Sequence, residues 1–264
     1  MVGACLQQAL KPLCHPLNNQ SQQQSQPRKA NKNIKFVRFA HWDAQRARAP
    51  YVNVITQEAS MYIPKAFNVT SQEAAITLIE NNSFGDLVTY NNGELCSNKV
   101  PFFFDRETNT LCGHFGKNNP QLADIQQSKK ALAIFSDAHS YISPQWYVSK
   151  DMVPTWNFQT VQVKGSIKIV NEERLIDILK KLSAFHESQF TTQWSMDEVN
   201  QDKLDLLSKM ITGFQIEVSD IRFKEKMSQN RGREDQQNVM EHLKLQGGYS
   251  EQQVSAIMRK SIEL

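Results

Sequence analysis

The sequence of 264 residues is poor in cysteine and lacks any long apolar run. No two of the four cysteines form a CxxC pair, so neither a zinc ribbon nor a thioredoxin-type redox motif is indicated. A reducing compartment is the simpler interpretation of this cysteine usage. No apolar run approaches the length of a transmembrane helix, and polar residues interrupt the N-terminal segment where a signal peptide needs continuous hydrophobicity. We therefore expect a soluble, cytoplasmic protein that makes no contact with a membrane.

The signatures of several enzyme classes are also missing. There is no GxSxG, HExxH, P-loop or GxGxxG pattern, so hydrolases, zinc proteases, nucleotide hydrolases and Rossmann dehydrogenases lack their usual markers. A flavin enzyme needs few dedicated catalytic side chains, because the cofactor supplies the redox chemistry. These absences leave open whether the protein is an enzyme, and we predict no catalytic residue and no metal site.

Charge is distributed unevenly along the chain. Residues 1–60 carry eight Lys and Arg against two acidic residues, a net charge of +6, whereas the remainder carries −3. The remainder therefore lacks composition-level support for a strongly basic nucleic-acid surface. Residues 18–35 are rich in Gln and poor in apolar residues, so they cannot bury enough surface to offset the entropy of ordering. We predict a disordered or low-complexity extension over residues 1–60 and one folded domain over residues 61–264.

Two stretches carry most of the information about function. Residues 139–163 hold two Trp, two Tyr, several hydroxyls and a lysine, and residues 224–231 are basic and rich in amides. Aromatic faces can cover a planar ring, hydroxyls and amides can satisfy its polar edge, and Lys or Arg can neutralise a phosphate. Flavin mononucleotide (FMN) uses all three kinds of contact, and haem or another planar anion would be served by the same groups.

The predicted strands indicate a barrel. Asn91-Asn92-Gly93 tolerates the positive φ of a tight turn between two strand-like runs and so predicts a β-hairpin. Five or six strands with few helices between them suggest a barrel in an α+β protein. The predicted strands are residues 84–90, 94–104, 110–115, 131–136, 156–170 and 214–223.

Helices are predicted from capping residues and apolar stripes. A capping pattern at Thr70 and Glu73 opens a short amphipathic helix, and Asn171 caps a longer one over residues 175–190. Residues 120–128 predict another helix. A further helix holds Leu204, Leu207 and Ile211 and ends near Gly213.

The C-terminal segment offers two interpretations, DNA reading and packing. Two predicted helices flank Gly247-Gly248, and a capping pattern from Ser250 to Gln253 opens the second, superficially as in a helix-turn-helix. Base reading needs donors early in that second helix, whereas an acidic residue opens it and its cations come late. A packing stripe of Val254, Ile257 and Met258 explains the pattern more simply. Direct DNA contact is therefore the weaker interpretation.

Five separated motifs carry a resemblance to a known family. They are MYIPKAF at Met61, GHFGKNNPQ at Gly113, HSYISPQWYVSK at His139, VPTWNF at Val153 and KMSQNR at Lys226. In their order and approximate spacing the chain resembles the PaiB-type FMN-binding negative transcriptional regulators, from residue 61 to about residue 260. The resemblance implies a flavin-reductase-like split β-barrel with peripheral helices, a homodimer with FMN between the subunits, and repression of transcription. Residues 1–60 resemble nothing in that family.

The first group of candidate FMN-binding residues lies in the GHFGKNNPQ motif. This motif follows a predicted strand and precedes a predicted helix, a place where lysine, amides and free backbone N–H groups can hold a phosphate. The group consists of His114, Lys117, Asn118 and Asn119.

The second group comes from the aromatic and the basic stretches. Aromatic side chains after a Ser-Pro turn can cover the ring or line the dimer groove, with core packing as the alternative. A hydroxyl and an amide where a loop enters a strand can meet the polar edge of the ring. Arg231 suits a phosphate or the ring edge because its guanidinium forms a fixed fork. The group consists of Ser143, Trp146, Tyr147, Thr155, Trp156, Asn157, Lys226, Gln229 and Arg231.

Two functions follow from these observations. One is an FMN-binding negative regulator of transcription, and the other is a flavin-dependent oxidoreductase of the pyridoxamine-phosphate-oxidase-like split-barrel group. The sequence predicts the same cofactor for both functions. The regulatory role comes from the resemblance alone, whereas the flavin site also has chemical support from the motifs.

Overall fold

A computed structural model of the chain describes residues 60–191 and 194–263, with side chains described as far as residue 261. The predicted disordered extension, apart from residue 60, lies outside this part of the chain. The strands are β1 (Asn68–Val69), β2 (Phe84–Asn91), β3 (Glu94–Asp105), β4 (Thr110–Gly116), β5 (Lys130–Ile142), β6 (Thr155–Ile169) and β7 (Ile211–Lys226). The α-helices are α1 (Gln72–Asn81), α2 (Gln121–Ser128), α3 (Glu172–Glu187), α4 (Gln201–Ser208), α5 (Arg233–Gln246) and α6 (Tyr249–Glu263).

All strand pairs are antiparallel and close into a barrel. The sheet order is β1-β7-β4-β3-β2-β5-β6, and β6 also pairs with β7, so β2 to β7 form a closed six-stranded ring. One edge of β7 is shared, because β4 pairs with its first half and β1 pairs only with Phe223 and Lys224 near its end. The other edge of β7 follows β6 from Phe214 to Lys226. The predicted α+β split barrel with peripheral helices is confirmed.

Local sequence explains the hairpin and one close approach in the ring. Asn92 (φ 50°) and Gly93 (φ 91°) take the positive φ values that the turn between β2 and β3 requires, as predicted. In β6 the pairing register with β7 shifts between Lys164 and Gly165. A Cβ on Gly165 would lie 2.1 Å from the carbonyl oxygen of Glu217, so this irregularity requires glycine.

The main hydrophobic core fills the barrel. Phe102 packs edge-to-face against Phe135 and Phe214, with ring centres 5.0 and 5.7 Å apart. These three rings are almost completely buried. The alternation of apolar residues along the strands therefore points inward, which is the pattern that predicted them.

A second, smaller core joins the C-terminal helices to one end of the barrel. Its buried members are Ile142, Tyr147, Met227, Val239, Leu243, Val254 and Met258. The stripe predicted on the last helix thus packs inward. Ser250 does not cap this helix, because its hydroxyl donates to the carbonyl of His139 on β5 and accepts from the N–H of the same residue. This core positions the turn after β7, where several candidate residues lie.

Two helix predictions need correction. The N-cap of α1 is Ser71, whose hydroxyl accepts from the N–H of Ala74, and the predicted cap Thr70 lies one residue before it. Ile211 was expected in a helix, but it begins β7 and pairs with Gly116. The helix ends at Ser208 because strand pairing takes over within three residues.

Helix α3 is fixed to the barrel by a buried carboxylate. Asp105, at the end of β3, accepts from Arg174 at 2.8 Å and from Lys181 at 3.4 Å, both on α3. Burial by itself raises the pKa of Asp105, but Arg174 and Lys181 outweigh it and hold the pKa below its usual range. Asn171 caps α3 as predicted by accepting from the N–H of Arg174 at 2.9 Å. Among the helices of the described residues, none is long and apolar enough to cross a membrane.

Candidate functional site

Most of the second group of candidates lies at one end of the barrel, where β6 begins and β7 ends. Phe158 pairs with Lys226, and Trp156 pairs with Tyr141 across β5 and β6. Just beyond β7, the guanidinium carbon of Arg231 lies 5.4 Å from the centre of the Tyr147 ring. We call this region the cationic aromatic end and define it by Lys224, Lys226, Arg231, Tyr141, Tyr147, Thr155 and Trp156.

The positive charges at this end form no close ion pair in the described residues, although the charge of Arg231 helps to lower the pKa of the Asp235 carboxyl. The ammonium of Lys226 donates to the carbonyl of Trp156 at 2.7 Å and to the hydroxyl of Thr155. Its pKa is lowered, first because it is partly buried and then because Arg231 and Lys224 repel its charge. Within the described residues, none of these three cations forms an ion pair with a carboxylate. Such a cluster favours an anion from outside the chain.

Aromatic rings border the cations. Trp156 is 52% exposed and Tyr141 is 44% exposed, and their rings meet edge-to-face with centres 5.8 Å apart. Because the two rings stand nearly perpendicular, each can offer one exposed face or edge to a ligand. Trp146 behaves differently, because it stacks on His242 at 5.7 Å beside the second core. Trp146 therefore packs against the second core, which is the alternative that the sequence left open.

Tyr147 adds a polar atom that lacks a partner. The residue is buried, and within the described part of the chain its hydroxyl makes no hydrogen bond of normal geometry, although the side chains of Arg231 and Ser228 lie close enough to act on its pKa. Burial raises the pKa of this phenol, although the nearby charge of Arg231 acts in the opposite direction. An unpaired hydroxyl in a buried position is costly unless a ligand or water meets it.

Three candidates of the second group are engaged inside the protein. The amide of Asn157 is buried and donates to the hydroxyl of Ser228 at 3.0 Å. Gln229 donates to the carbonyl of Glu225 at 2.8 Å and accepts from the N–H of Met227 at 2.6 Å. The hydroxyl of Ser143 accepts from the N–H of Gln145 at 3.3 Å.

These contacts give all three side chains partners inside the protein, and their binding of the ligand stays a prediction. Asn157 and Gln229 hold the turn after β7, in which Ser228 has a positive φ of 64°. They therefore help to position Lys226 and Arg231.

The first group of candidates lies elsewhere. Lys117 and Asn118 are exposed in the loop after β4, and the N–H of Lys117 donates to the carbonyl of Met210 at 2.9 Å. Asn119 accepts from the N–H of Gln121 at 3.0 Å and thereby starts α2. On β4, burial lowers the pKa of His114, and its Nδ1 has no hydrogen-bond partner within residues 60–191 and 194–261.

The two groups stand at opposite ends of β7. Gly116, beside Lys117, pairs with Ile211 at the first residue of β7, whereas Lys226 is its last residue. The strand has 16 residues, a path of about 50 Å at the usual rise per residue. None of the four cavities found in the described residues is lined by members of both groups. One chain alone does not bring Lys117 and Arg231 to the same ligand.

Sequence reasoning missed Lys224 and Tyr141 as members of the cationic aromatic end. Lys224 lies two residues before Lys226 on β7, and its ammonium is 5.5 Å from the centre of the Phe158 ring. The spacing of two residues on a strand was a signal for a shared face. No local signal identified Tyr141, because its proximity to Trp156 depends on the register between β5 and β6.

Comparison with known proteins assigns the chain to a family. Residues 61–220 match the family described as "Putative FMN-binding domain", and the chain belongs to that family. The resemblance seen in the motifs is confirmed, and the family agrees with the predicted cofactor, FMN or a related flavin. The structure fits this cofactor in its donor set, because cations that form no ion pair in the described residues lie at the same end of the barrel as two exposed aromatic rings.

Two curated proteins and one solved structure are among those similar to the chain. The chain is 32% identical over 205 residues to the protease synthase and sporulation protein PAI 2 of Bacillus subtilis, covering 77% of this chain and 99% of that protein. It is 26% identical over 230 residues to the uncharacterized protein AN0679 of Emericella nidulans, covering 71% and 92% of the two chains. Among solved structures, the FAD and heme binding protein from Mycobacterium smegmatis is similar, with a TM-score of 0.46, 10% identity and coverage of 60% and 73%.

Proposed function

We propose that the protein binds FMN non-covalently between two copies of the chain. The observation that carries this proposal is the cluster of Lys224, Lys226 and Arg231, which has no carboxylate partner among the described residues and borders the exposed rings of Trp156 and Tyr141. A phosphate neutralises such a cluster, and an isoalloxazine ring covers such an aromatic surface.

Each copy supplies different contacts in this proposal. The cationic aromatic end of one copy holds the phosphate and one ring face, with the hydroxyls of Tyr147 and Thr155 near the polar edge. Lys117 and Asn118 come from the partner copy, because within one chain they lie at the far end of β7. Exposed apolar residues beside that loop, Leu207 and Met210, provide surface for a contact between copies. When bound, FMN supplies a redox-active ring.

The proposed use of the flavin is regulatory. The Bacillus subtilis relative is named for protease synthesis and sporulation, and this supports a regulatory role. We propose that the protein acts as a negative regulator of transcription, as a cytoplasmic homodimer. Direct DNA contact by α6 is not part of the proposal, since Val254 and Met258 bury its apolar face in the second core. A salt-dependent shift in the electrophoretic mobility of promoter DNA, caused by the purified protein, would support direct DNA contact.

Absorption and binding measurements test the cofactor. Purified protein should show a flavin spectrum or quench added FMN, and bound FMN should raise the midpoint of thermal unfolding. A colourless protein that leaves FMN fluorescence and thermal unfolding unchanged contradicts the proposal. Rapid bleaching of bound flavin by NAD(P)H with turnover would favour the oxidoreductase over the regulator.

Complementation between copies tests the shared site. Lys117→Met and Arg231→Met should each weaken FMN binding when expressed alone. Co-expressed with different tags, they should form mixed dimers in which one of the two sites keeps both residues, so purified mixed dimers should recover half of the tight sites. Verified mixed dimers that recover none would show that both residues act within one copy, or that one of them does not bind the flavin.

A further inference from the structure

A cavity of about 750 Å³ lies away from the proposed flavin site. It is formed by the end of β2, the start of β5 and the middle of β6 around Lys164 to Ser166. Along β6, Trp156 is eight residues from Lys164, a strand length of about 26 Å. The volume falls in the range of small-molecule sites, about 300–1,000 Å³.

One wall of the cavity is apolar and exposed. Tyr90 and Leu95 are cross-strand partners on β2 and β3, with exposures of 50% and 73%. Val88 and Leu132 are partners on β2 and β5 and continue the same face of the sheet. Single exposed apolar residues are ordinary, but here four line one concave surface.

The rim of the cavity is positively charged. Lys129 and Lys130 are both exposed, and their ammonium groups form no ion pair or hydrogen bond with any described residue. Lys164 stands on the opposite side, and Ser166, which pairs with Lys130, adds a hydroxyl. The ammonium groups of Lys129 and Lys130 beside this apolar surface favour a ligand with one anionic head and an apolar body.

We infer that this cavity binds an acyl-chain anion at a site separate from the flavin. Lysine acts as a point charge and does not impose the planar fork of arginine, so both a carboxylate and a phosphate monoester suit the rim. The chain of the ligand lies on Val88, Leu132 and the Tyr90-Leu95 pair and removes this surface from water. The inference does not depend on the proposed function, because it uses none of the flavin-binding residues.

Calorimetry on the full-length protein saturated with FMN tests the inference. Decanoate and decyl phosphate, below their micelle concentrations, are the probes, and decanol is the neutral control. At least one anion should bind about tenfold more tightly than decanol, and the better of the two identifies the head group. Lys129→Gln/Lys130→Gln should weaken the anion about tenfold, and Leu95→Asp by at least as much.

Matched control variants show whether a loss of affinity belongs to this cavity. Lys203→Gln/Lys244→Gln removes two exposed lysines elsewhere and should leave the anion affinity unchanged. All variants should keep their FMN affinity and thermal unfolding midpoint. Equal binding of decanol and both anions, displacement of the anion by excess FMN, or no effect of the Lys129/Lys130 change overturns the inference. Conversion of dimers into monomers by Leu95→Asp, seen by sedimentation, also overturns it, because a second copy would then cover this face.

Discussion

Two charged regions of the molecule differ in how their charges are satisfied. At α3, Asp105 is buried and meets Arg174 and Lys181 within 3.4 Å, so the carboxylate has partners for its lone pairs. At the cationic aromatic end, Lys226 and Arg231 form no ion pair in the described residues, and the exposed rings of Trp156 and Tyr141 lie at the same end of the barrel. The first arrangement stabilises the fold and closes the site to ligands. The second leaves charge unsatisfied, as a site for an anion requires.

The largest expected effect is on flavin binding at the unsatisfied region. Arg231→Met should weaken FMN binding by about 30- to 100-fold, since a hydrogen bond to a charged group contributes about 2–3 kcal/mol. Fluorescence titration measures this effect, and Arg259→Met on α6 is the control for loss of an exposed arginine. Riboflavin should lose much less affinity if Arg231 binds the phosphate. An equal loss for riboflavin and FMN would place Arg231 at the ring edge.

The next effect concerns stability at the satisfied region. Asp105→Asn should lower the free energy of unfolding by about 2 kcal/mol, because a buried neutral amide replaces the carboxylate that accepts from Arg174 and Lys181. Urea unfolding measures the loss. Asp197→Asn is the matched control, since Asp197 pairs with Lys180 but is 76% exposed, and it should cost much less stability.

The stability of wild type and of Asp105→Asn should also differ in its dependence on pH. The pKa of Asp105 is lowered in the folded state from its ordinary 3.8, so its contribution is present above about pH 4 and is lost as the pH falls further. The stability difference between wild type and Asp105→Asn should therefore shrink below pH 4. A difference that stays constant down to pH 2.5 would show that the charge of Asp105 does not stabilise the fold.

A smaller effect is expected from the exposed aromatic surface. Trp156→Ala should weaken FMN binding about fivefold, near 1 kcal/mol, by removing one stacking face. Trp194→Ala removes another exposed tryptophan, 43% exposed and outside the cationic aromatic end, and should leave FMN binding unchanged. If both variants bind FMN like wild type, the cations act without the aromatic surface.

The smallest effect concerns His114. Burial lowers its folded-state pKa below 6.5, so the neutral ring stabilises the fold above pH 6.5 and this contribution is lost as the pH falls below that value. Between pH 7 and 5, wild type should lose up to about 1 kcal/mol more than His114→Gln in urea unfolding. The exposed His139→Gln is the control and should follow wild type.

Prediction from sequence succeeded where the signal was local. Alternating apolar residues located the long strands, Asn92-Gly93 located the hairpin turn, and Asn171 located the start of α3. Each of these depends on neighbours within a few positions, where side-chain direction follows from the period of the element. Ile211 was misassigned because an apolar residue between a helix and a strand fits both periods.

The candidate site was predicted less completely, for a physical reason. Thr155, Trp156, Lys226 and Arg231 do come together, because strand pairing joins the start of β6 to the end of β7. Asn157 and Gln229 have the same chemistry in the sequence as a ligand-binding amide, yet both are used inside the protein. Residue type alone cannot distinguish these outcomes, since an amide serves a turn or a ligand equally well.

The sequence by itself determined the strands and most helices, the family, and the kinds of side chain available for a flavin. These follow from composition and from the spacing of residues that are close to one another in the sequence. Tertiary structure decided which of those side chains are free and where they stand. Closure of the barrel put Lys117 and Arg231 at opposite ends of β7, and packing of α6 buried Asn157. Pairing register and burial arise between segments distant in sequence, so they appear only when the chain is folded.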